Sequence, residues 1–264
     1  MNIAVISNQE TQLGTSCFIE LLASVFARTQ RQRVAILSTG DIKDMYEYVE
    51  IKDKASLLRS VSVFQTMVQS SIVSDEEIWD YGTRLGEEEV FAFDVKLNSI
   101  TDELQIPVYE EALNRIKAVM KIIEVVGSLD NPLNKHILEN ANVILYVFPH
   151  AARPMKKVAD YVKNGDPIYL KKMGFVCLKY DRNVIAEKAI ANELGIDQKK
   201  LMSIPYNSTI PKECINGTLN TLSKYIAKGH MEVLNLRPAL LAVMRFVYAS
   251  KSKKIIKGEN EWAQ

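Results

Sequence analysis

The chain has 264 residues, 47% of them hydrophobic and 25% charged, which describes a soluble globular protein with one sizeable core and appended elements. Thirty-three Lys and Arg against 32 Asp and Glu leave a formal charge of +1, so there is no global attraction to nucleic acid or to an anionic surface. No stretch approaches about 18 uninterrupted apolar residues and no signal-type run opens the chain, so neither membrane spanning nor secretion is expected.

Residues 2–27 read as a buried strand, a turn and an amphipathic helix. Ile3, Ala4, Val5 and Ile6 form a short apolar run, residues 7–14 are polar, and Phe18, Leu21, Leu22, Val25 and Phe26 recur at helical spacing. A strand, loop and helix of this kind holds phosphate in many α/β proteins, because backbone N–H groups of the loop meet the positive end of the helix dipole. Set against the phosphate-loop pattern G-x-x-x-x-G-K-[S/T], the matching residues are Gln9, Thr11, Gln12 and Leu13 in the interior, Gly14, Thr15 and Ser16. One glycine and the hydroxyl are kept; the first glycine and the lysine are not.

Further along, residues 28–33 are a basic helix end and turn, open to two readings: an anion patch, or charges that complement the negative helix terminus. Val34 to Leu37 form a second buried strand, followed by Ser38, Thr39, Gly40 and Asp41. Residues 53–118 are mostly helical in pattern, with Leu57, Leu58, Val61, Phe64, Met67 and Val68 on one face. Met67 suits either the core or an adaptable partner surface. Within that region a short strand is expected over 90–95, and a helix is expected to open after Pro107. A strand over 120–126 leads to a turn at 127–132, on the edge of the sheet where ligands sit in open α/β proteins. Asp130 there is either a polar contact or a plain turn residue. Then come a strand over 142–148 ended by Pro149, a helix over 156–163, a strand over 175–178, a helix over 186–194 stopped by Gly195, and a strand over 201–205. This alternation predicts an α/β fold of three layers, a mainly parallel twisted sheet flanked by helices.

The last stretch breaks the rhythm. Residues 238–248 are strongly apolar and 251–257 basic, which fits a terminal helix docked on the domain with a solvated tail, a helix that binds a partner or second copy, or peripheral contact of 238–257 with an anionic membrane surface. Residues 1–228 are therefore taken as the α/β domain and 229–264 as a helical extension. Cys17, Cys177 and Cys214 are widely separated and lack a C-x-x-C pair, so reduced thiols in a cytoplasmic protein are expected. His136, His150 and His230 lack the spacing of metal ligands.

The opening loop and three downstream landmarks resemble the ParA/MinD group of phosphate-loop ATPases. In that resemblance Glu10 stands where the group's signature lysine reaches toward a partner's nucleotide, and Thr15 where the second lysine stands. Asp41 falls near the acidic residues beside the catalytic water. Glu124 replaces the Asp that helps hold magnesium, Lys179 takes the place of a base-contacting Asn, and Pro205 belongs to the Ile-Pro turn beside the base. The stretch from residue 56 to 93 is similar to the TadZ-like branch, linked to pilus and secretion assembly.

Two classes of function follow. The first is a non-hydrolysing relative of these ATPases, a homodimer that serves as scaffold or positioning factor for a bacterial pilus, conjugation or secretion assembly. It needs no cofactor, works in the cytoplasm or at the inner face of the membrane, and has no catalytic residue. The second is a divergent ATPase in which Gly14, Ser16 and a displaced cation still bind ATP and Mg2+, with Ser16 on the metal. A partition role with nonspecific DNA binding is disfavoured by the near-neutral charge. Glu10, Thr15 and Glu124 together favour the first class, since phosphoryl transfer depends chiefly on positive charge at the phosphates.

Overall fold

The computed structural model describes residues 1–7, 14–40, 49, 51, 74–86, 89–93 and 102–260, with the side chains of 102–105 and 251–260 left aside. Glu10, Asp41, Glu88 and the helical stretch expected near 56–70 lie outside the described residues.

Eight strands form one sheet: β1 (Asn2–Ser7), β2 (Val34–Ser38), β3 (Thr83–Arg84), β4 (Val90–Phe93), β5 (Met120–Val125), β6 (Val143–Pro149), β7 (Met173–Tyr180) and β8 (Leu201–Pro205). Their order is β3-β4-β2-β5-β1-β6-β7-β8, and every pairing is parallel except the short β3–β4 edge. The side chains of β1 show why both faces must be covered. Ile3 and Val5 enter one core, Ala4 and Ile6 the other, and all four are buried. A strand with no polar face has no place at a solvated surface, so helices close both sides.

One face carries α1 (Thr15–Gln30), α8 (Thr221–Lys228) and α9 (Leu236–Asn260). The other carries α2 (Asp102–Arg115), α3 (Pro132–Asn140), α4 (Ala152–Asn164) and α6 (Glu187–Leu194). Two short helices, α5 (Pro167–Lys171) and α7 (Thr209–Ile215), sit outside these layers and bury no residue fully.

Several boundaries differ from the sequence reading, each for a local reason. Of the strand expected over 90–95, Val90–Phe93 is observed and pairs with both β2 and β3, while 94 and 95 lie outside the described residues. The helix expected to start after Pro107 starts at Asp102 and contains that proline. The proline removes one backbone bond, while Val108, Tyr109, Ala112 and Ile116 on the same helix and its exit are all buried in the core. The acidic start at 74–77 is a reciprocal cap: Ser74 Oγ accepts from the Glu77 N–H at 3.2 Å, and the Glu77 carboxylate accepts from Ser74 at 2.8 Å. It opens a 3-10 turn, Glu77–Tyr81, rather than an α-helix.

The basic cluster after α1 turns out to be structural. Arg31 caps the helix in the left-handed region, and Arg33 donates to Glu89 at 3.3 Å while its guanidinium covers the Trp79 ring at 5.0 Å. The apolar terminal stretch lies in α9, whose Leu236, Leu240, Val243, Met244 and Val247 enter the core beside α1 and β8. Phe26 stacks on Tyr248 with ring centres 5.7 Å apart. Gly174 of β7 has no side chain because the Phe246 ring occupies that space, 2.5 Å from where a Cβ would stand. The apolar face of this helix is thus occupied by the chain itself. No helix among the described residues is long and apolar enough to cross a membrane.

One polar group is costly in this arrangement. Glu20 of α1 is fully buried, neither carboxylate oxygen has a hydrogen-bond partner among the described residues, and burial pushes its pKa well above the usual carboxylate value. The folded state therefore holds a proton there that the unfolded chain releases. Stability is greatest below the unfolded pKa and falls as pH rises toward the folded one. Urea unfolding of Glu20→Gln should show a stabilisation over the wild type that is small near pH 4 and grows by up to about 1.4 kcal/mol per pH unit above it. A pH-independent difference would place the carboxyl in water.

Candidate functional site

The carboxyl ends of the parallel strands converge on one edge, and three of them, β2, β5 and β1, lie side by side there. Register puts Glu124 of β5 opposite Ser38 of β2 and Val5 of β1. Its carboxylate reaches two hydroxyls at once. Ser16 Oγ donates to Oε1 at 3.3 Å and Ser38 Oγ donates to Oε2 at 3.1 Å. The Gly40 N–H in turn donates to Ser38 Oγ at 3.1 Å, and the next strand ends are tied by Thr39, whose hydroxyl accepts from the Val126 N–H at 2.8 Å. A Cβ at Gly40 would stand 3.0 Å from the Val126 side chain, which would have to give by a few tenths of an ångström.

Gly14 begins α1 with φ of +116°, a conformation that favours glycine, and its carbonyl accepts the Phe18 N–H at 2.8 Å. The N-terminal N–H groups and the dipole of α1 are therefore directed at this edge, as an anion site requires. Thr15, which the sequence reading sets against the lysine of the phosphate-loop pattern, follows. It is only 4% exposed, so a short neutral side chain is packed where an ammonium would need room.

Beside this network lies a cavity of about 600 Å³, walled by Gly14 and Phe18 of α1, Leu178 and Lys179 of β7, and Pro205 and Tyr206 after β8. Its lining is mostly apolar. Lys179 is exposed and has φ of +55°, at the bulge where the β7–β8 register shifts; it is the one cation among the described residues lining the cavity. A smaller hollow of about 300 Å³ lies between Asn2, Tyr109, Lys121 and His136, on the amino-terminal edge of the sheet and away from the α1 terminus.

The structure thus brings Gly14, Thr15, Ser16 and Glu124 together, and it brings Gly14, Lys179 and Pro205 around one cavity. Asp130 is a turn residue: its N–H donates to Ser128 Oγ at 3.2 Å, and its side chain, 93% exposed, lies 3.7 Å from Lys135. The histidines are dispersed, with His136 on Glu110, His150 Nδ1 accepting the Asp181 N–H, and His230 against the Tyr225 ring. Sequence reading missed three members of the site. Ser38 carried no motif, and only the β2–β5 register places it on Glu124. Cys17 and Cys214, 197 residues apart, come within 3.3 Å at the cavity wall.

Magnesium and a nucleotide triphosphate fit this site differently. The Ser16 hydroxyl and Glu124 carboxylate are hard oxygen donors at 3.3 Å, close to the roughly 2.9 Å edge of an octahedron with metal–oxygen bonds of about 2.0–2.1 Å, so this pair suits the ion. The triphosphate would find a helix terminus but no cation at Thr15. A carboxylate already bound to both serines adds negative charge beside it.

No protein-family model and no curated protein sequence matches the chain. Solved structures match it in fold. A ParA family ATPase from Chlorobium tepidum superposes with a TM-score of 0.68 at 12% identity, covering 92% of this chain and 98% of that one. The MinC:MinD cell division complex of Aquifex aeolicus gives 0.67 at 10%, covering 94% and 96%. MinD of Pyrococcus horikoshii, complexed with Mg-ADP, gives 0.61 at 11%, covering 92% and 94%. The chain has the fold of the ParA/MinD phosphate-loop proteins, and at these identities the likeness extends to the fold alone.

The Glu124 network is testable by stability. Glu124→Asp, one methylene shorter, should lose at least one serine bond and about 1 kcal/mol of unfolding free energy. Ser38→Ala should cost a similar amount, and the double variant should cost less than their sum in denaturant titrations. Strict additivity would mean that the two side chains do not interact.

Proposed function

We propose that this protein is a non-hydrolysing member of the ParA/MinD fold, a homodimeric platform that recruits or positions components of a bacterial pilus, conjugation or secretion assembly. The observation that carries the reading is the pairing of a buried Thr15 with a Glu124 carboxylate bound to Ser16 and Ser38. Phosphoryl transfer draws its rate from positive groups on the phosphates. Here, among the described residues, the helix terminus has a buried threonine and the Glu124 carboxyl beside it in place of a positive side chain. Glu10 at the signature-lysine position belongs to the same reading of the sequence, as does the TadZ-like middle segment that suggests pilus or secretion machinery.

A second reading is favoured by the cavity beside Gly14, Lys179 and Pro205. It is large and apolar enough for a nucleoside, and one structural neighbour holds Mg-ADP. Under this reading the chain binds nucleotide as a divergent positioning ATPase. Magnesium, when bound, would neutralise phosphate charge, and Ser16 and Glu124 would hold it.

Titration of the purified full-length protein with ATP and magnesium separates the two. The platform reading expects binding no tighter than about 1 mM, equivalent to about −4 kcal/mol, and no turnover above the blank. It also expects Thr15→Lys combined with Glu124→Asp to raise ATP affinity at least about tenfold, since one charge-assisted contact is worth over a kcal/mol. Tight wild-type binding, or turnover abolished by Ser16→Ala, would overturn it in favour of the ATPase.

A further inference from the structure

Cys17 and Cys214 are far apart in sequence but adjacent in space, with Sγ atoms 3.3 Å apart on the wall of the 600 Å³ cavity. Both are free and half-buried, whereas Cys177 is sealed in the sheet. We propose that Cys17 and Cys214 form a thiol–disulfide modification site, oxidised by low-molecular-weight disulfides that enter through the cavity. The inference stands independently of whether the site binds nucleotide.

The separation is already close to bonding. A disulfide needs sulfurs at about 2.05 Å, so an approach of little more than 1 Å is required. The two side chains come from elements of unequal rigidity. Cys17 lies in the first turn of α1, which is set in the core, while Cys214 lies in α7, none of whose residues is fully buried. α7 is held by the partly buried Ile210 and Cys214 and by Glu213, which accepts from Thr218 Oγ1 at 2.5 Å. Such a helix can shift by the distance the bond needs without disturbing the sheet.

The chemistry assigns an order to the two sulfurs. Cys214 is assigned as the attacking sulfur because it sits on the less buried helix, and hydrogen bonding with the Cys17 sulfur lowers its pKa. Its sulfur attacks one sulfur of the small disulfide, forms a mixed disulfide and expels the first thiolate. Cys17 then gives up its proton, attacks the Cys214 sulfur and expels the second thiolate. Two protein thiols become one disulfide, and one small disulfide becomes two thiols, so electrons and protons balance. The product fastens α7 to α1 across the cavity mouth, beside Gly14 and Ser16. Disulfides of this reversible kind are the ones found in reducing compartments.

The test uses the full chain, incubated natively with oxidised glutathione, alkylated, digested and read by mass spectrometry. A peptide pair joined through Cys17 and Cys214 is expected, reversed by dithiothreitol, with Cys177 alkylated only after denaturation. Cys17→Ser should stop at a glutathione adduct on Cys214, and Cys214→Ser should give neither adduct nor crosslink. Amide exchange over residues 209–215 should slow at least about tenfold in the oxidised protein, as the tether removes local opening. The proposal is overturned if both thiols alkylate as readily after oxidation as before. A link through Cys177, or Cys17→Ser protein that accumulates no adduct on Cys214, would overturn it equally.

Discussion

The Glu124 carboxylate joins three elements at one point. It stands one residue before the end of β5, takes the Ser38 hydroxyl from β2 and takes the Ser16 hydroxyl from the first turn of α1. The phosphate-loop fold needs these strand ends close to the helix terminus, because the edge they share is where its ligands bind. In this chain that proximity is maintained by a protein carboxylate. A residue one methylene shorter would leave a gap for water or a metal's hydration shell, whereas glutamate spans it and contacts both serines directly.

Charge determines what such an edge can do. The α1 terminus supplies a partial positive charge equivalent to roughly half an elementary charge, enough to orient an anion. A bound triphosphate brings several negative charges, and its cleavage moves more onto the terminal oxygens. A lysine at position 15 would supply a full compact charge within hydrogen-bond reach; a buried threonine supplies none. The network around Glu124 adds hydrogen bonds, and these hold geometry without neutralising phosphate. Lys179, the one cation lining the cavity among the described residues, stands on the left-handed bulge of β7 and is exposed. Among the described residues, the cavity therefore has an exposed cation on its β7 wall, whereas the α1 terminus has a buried threonine at position 15.

The parts of this architecture with a period were readable in the sequence. Runs such as residues 3–6 and 143–148 have no polar side, which is possible only in a strand covered on both faces, and the turns at Gly195 and Pro132 carry their own stop and start chemistry. What could not be read was set by register and packing across the sheet. Ser38 is an ordinary residue until β2 lies against β5. Cys17 and Cys214 belong to helices whose approach depends on where β8 ends. The buried Glu20 is invisible for a similar reason: it occupies an apolar stripe that α8 and α9 cover, and nothing in its neighbours along the chain announces that. The β3–β4 pairing rests on two residues, too few for any alternation to show.

The packing of α1 connects the two halves of the argument. In a nucleotide-dependent machine, the start of this helix would be ordered chiefly by the phosphates it grips. Here Phe18, Leu22, Phe26 and their neighbours are buried against β1, α8 and α9, each contributing on the order of 1.5–3 kcal/mol. At the N-terminus, Gly14 lies against Leu178, and Ser16 is bonded to Glu124. The terminal helix α9 adds Val243, Met244, Val247 and the Tyr248 ring to the same surface. The described part of this edge, the first turn of α1 and the ends of β2 and β5, is thus held by contacts within the chain.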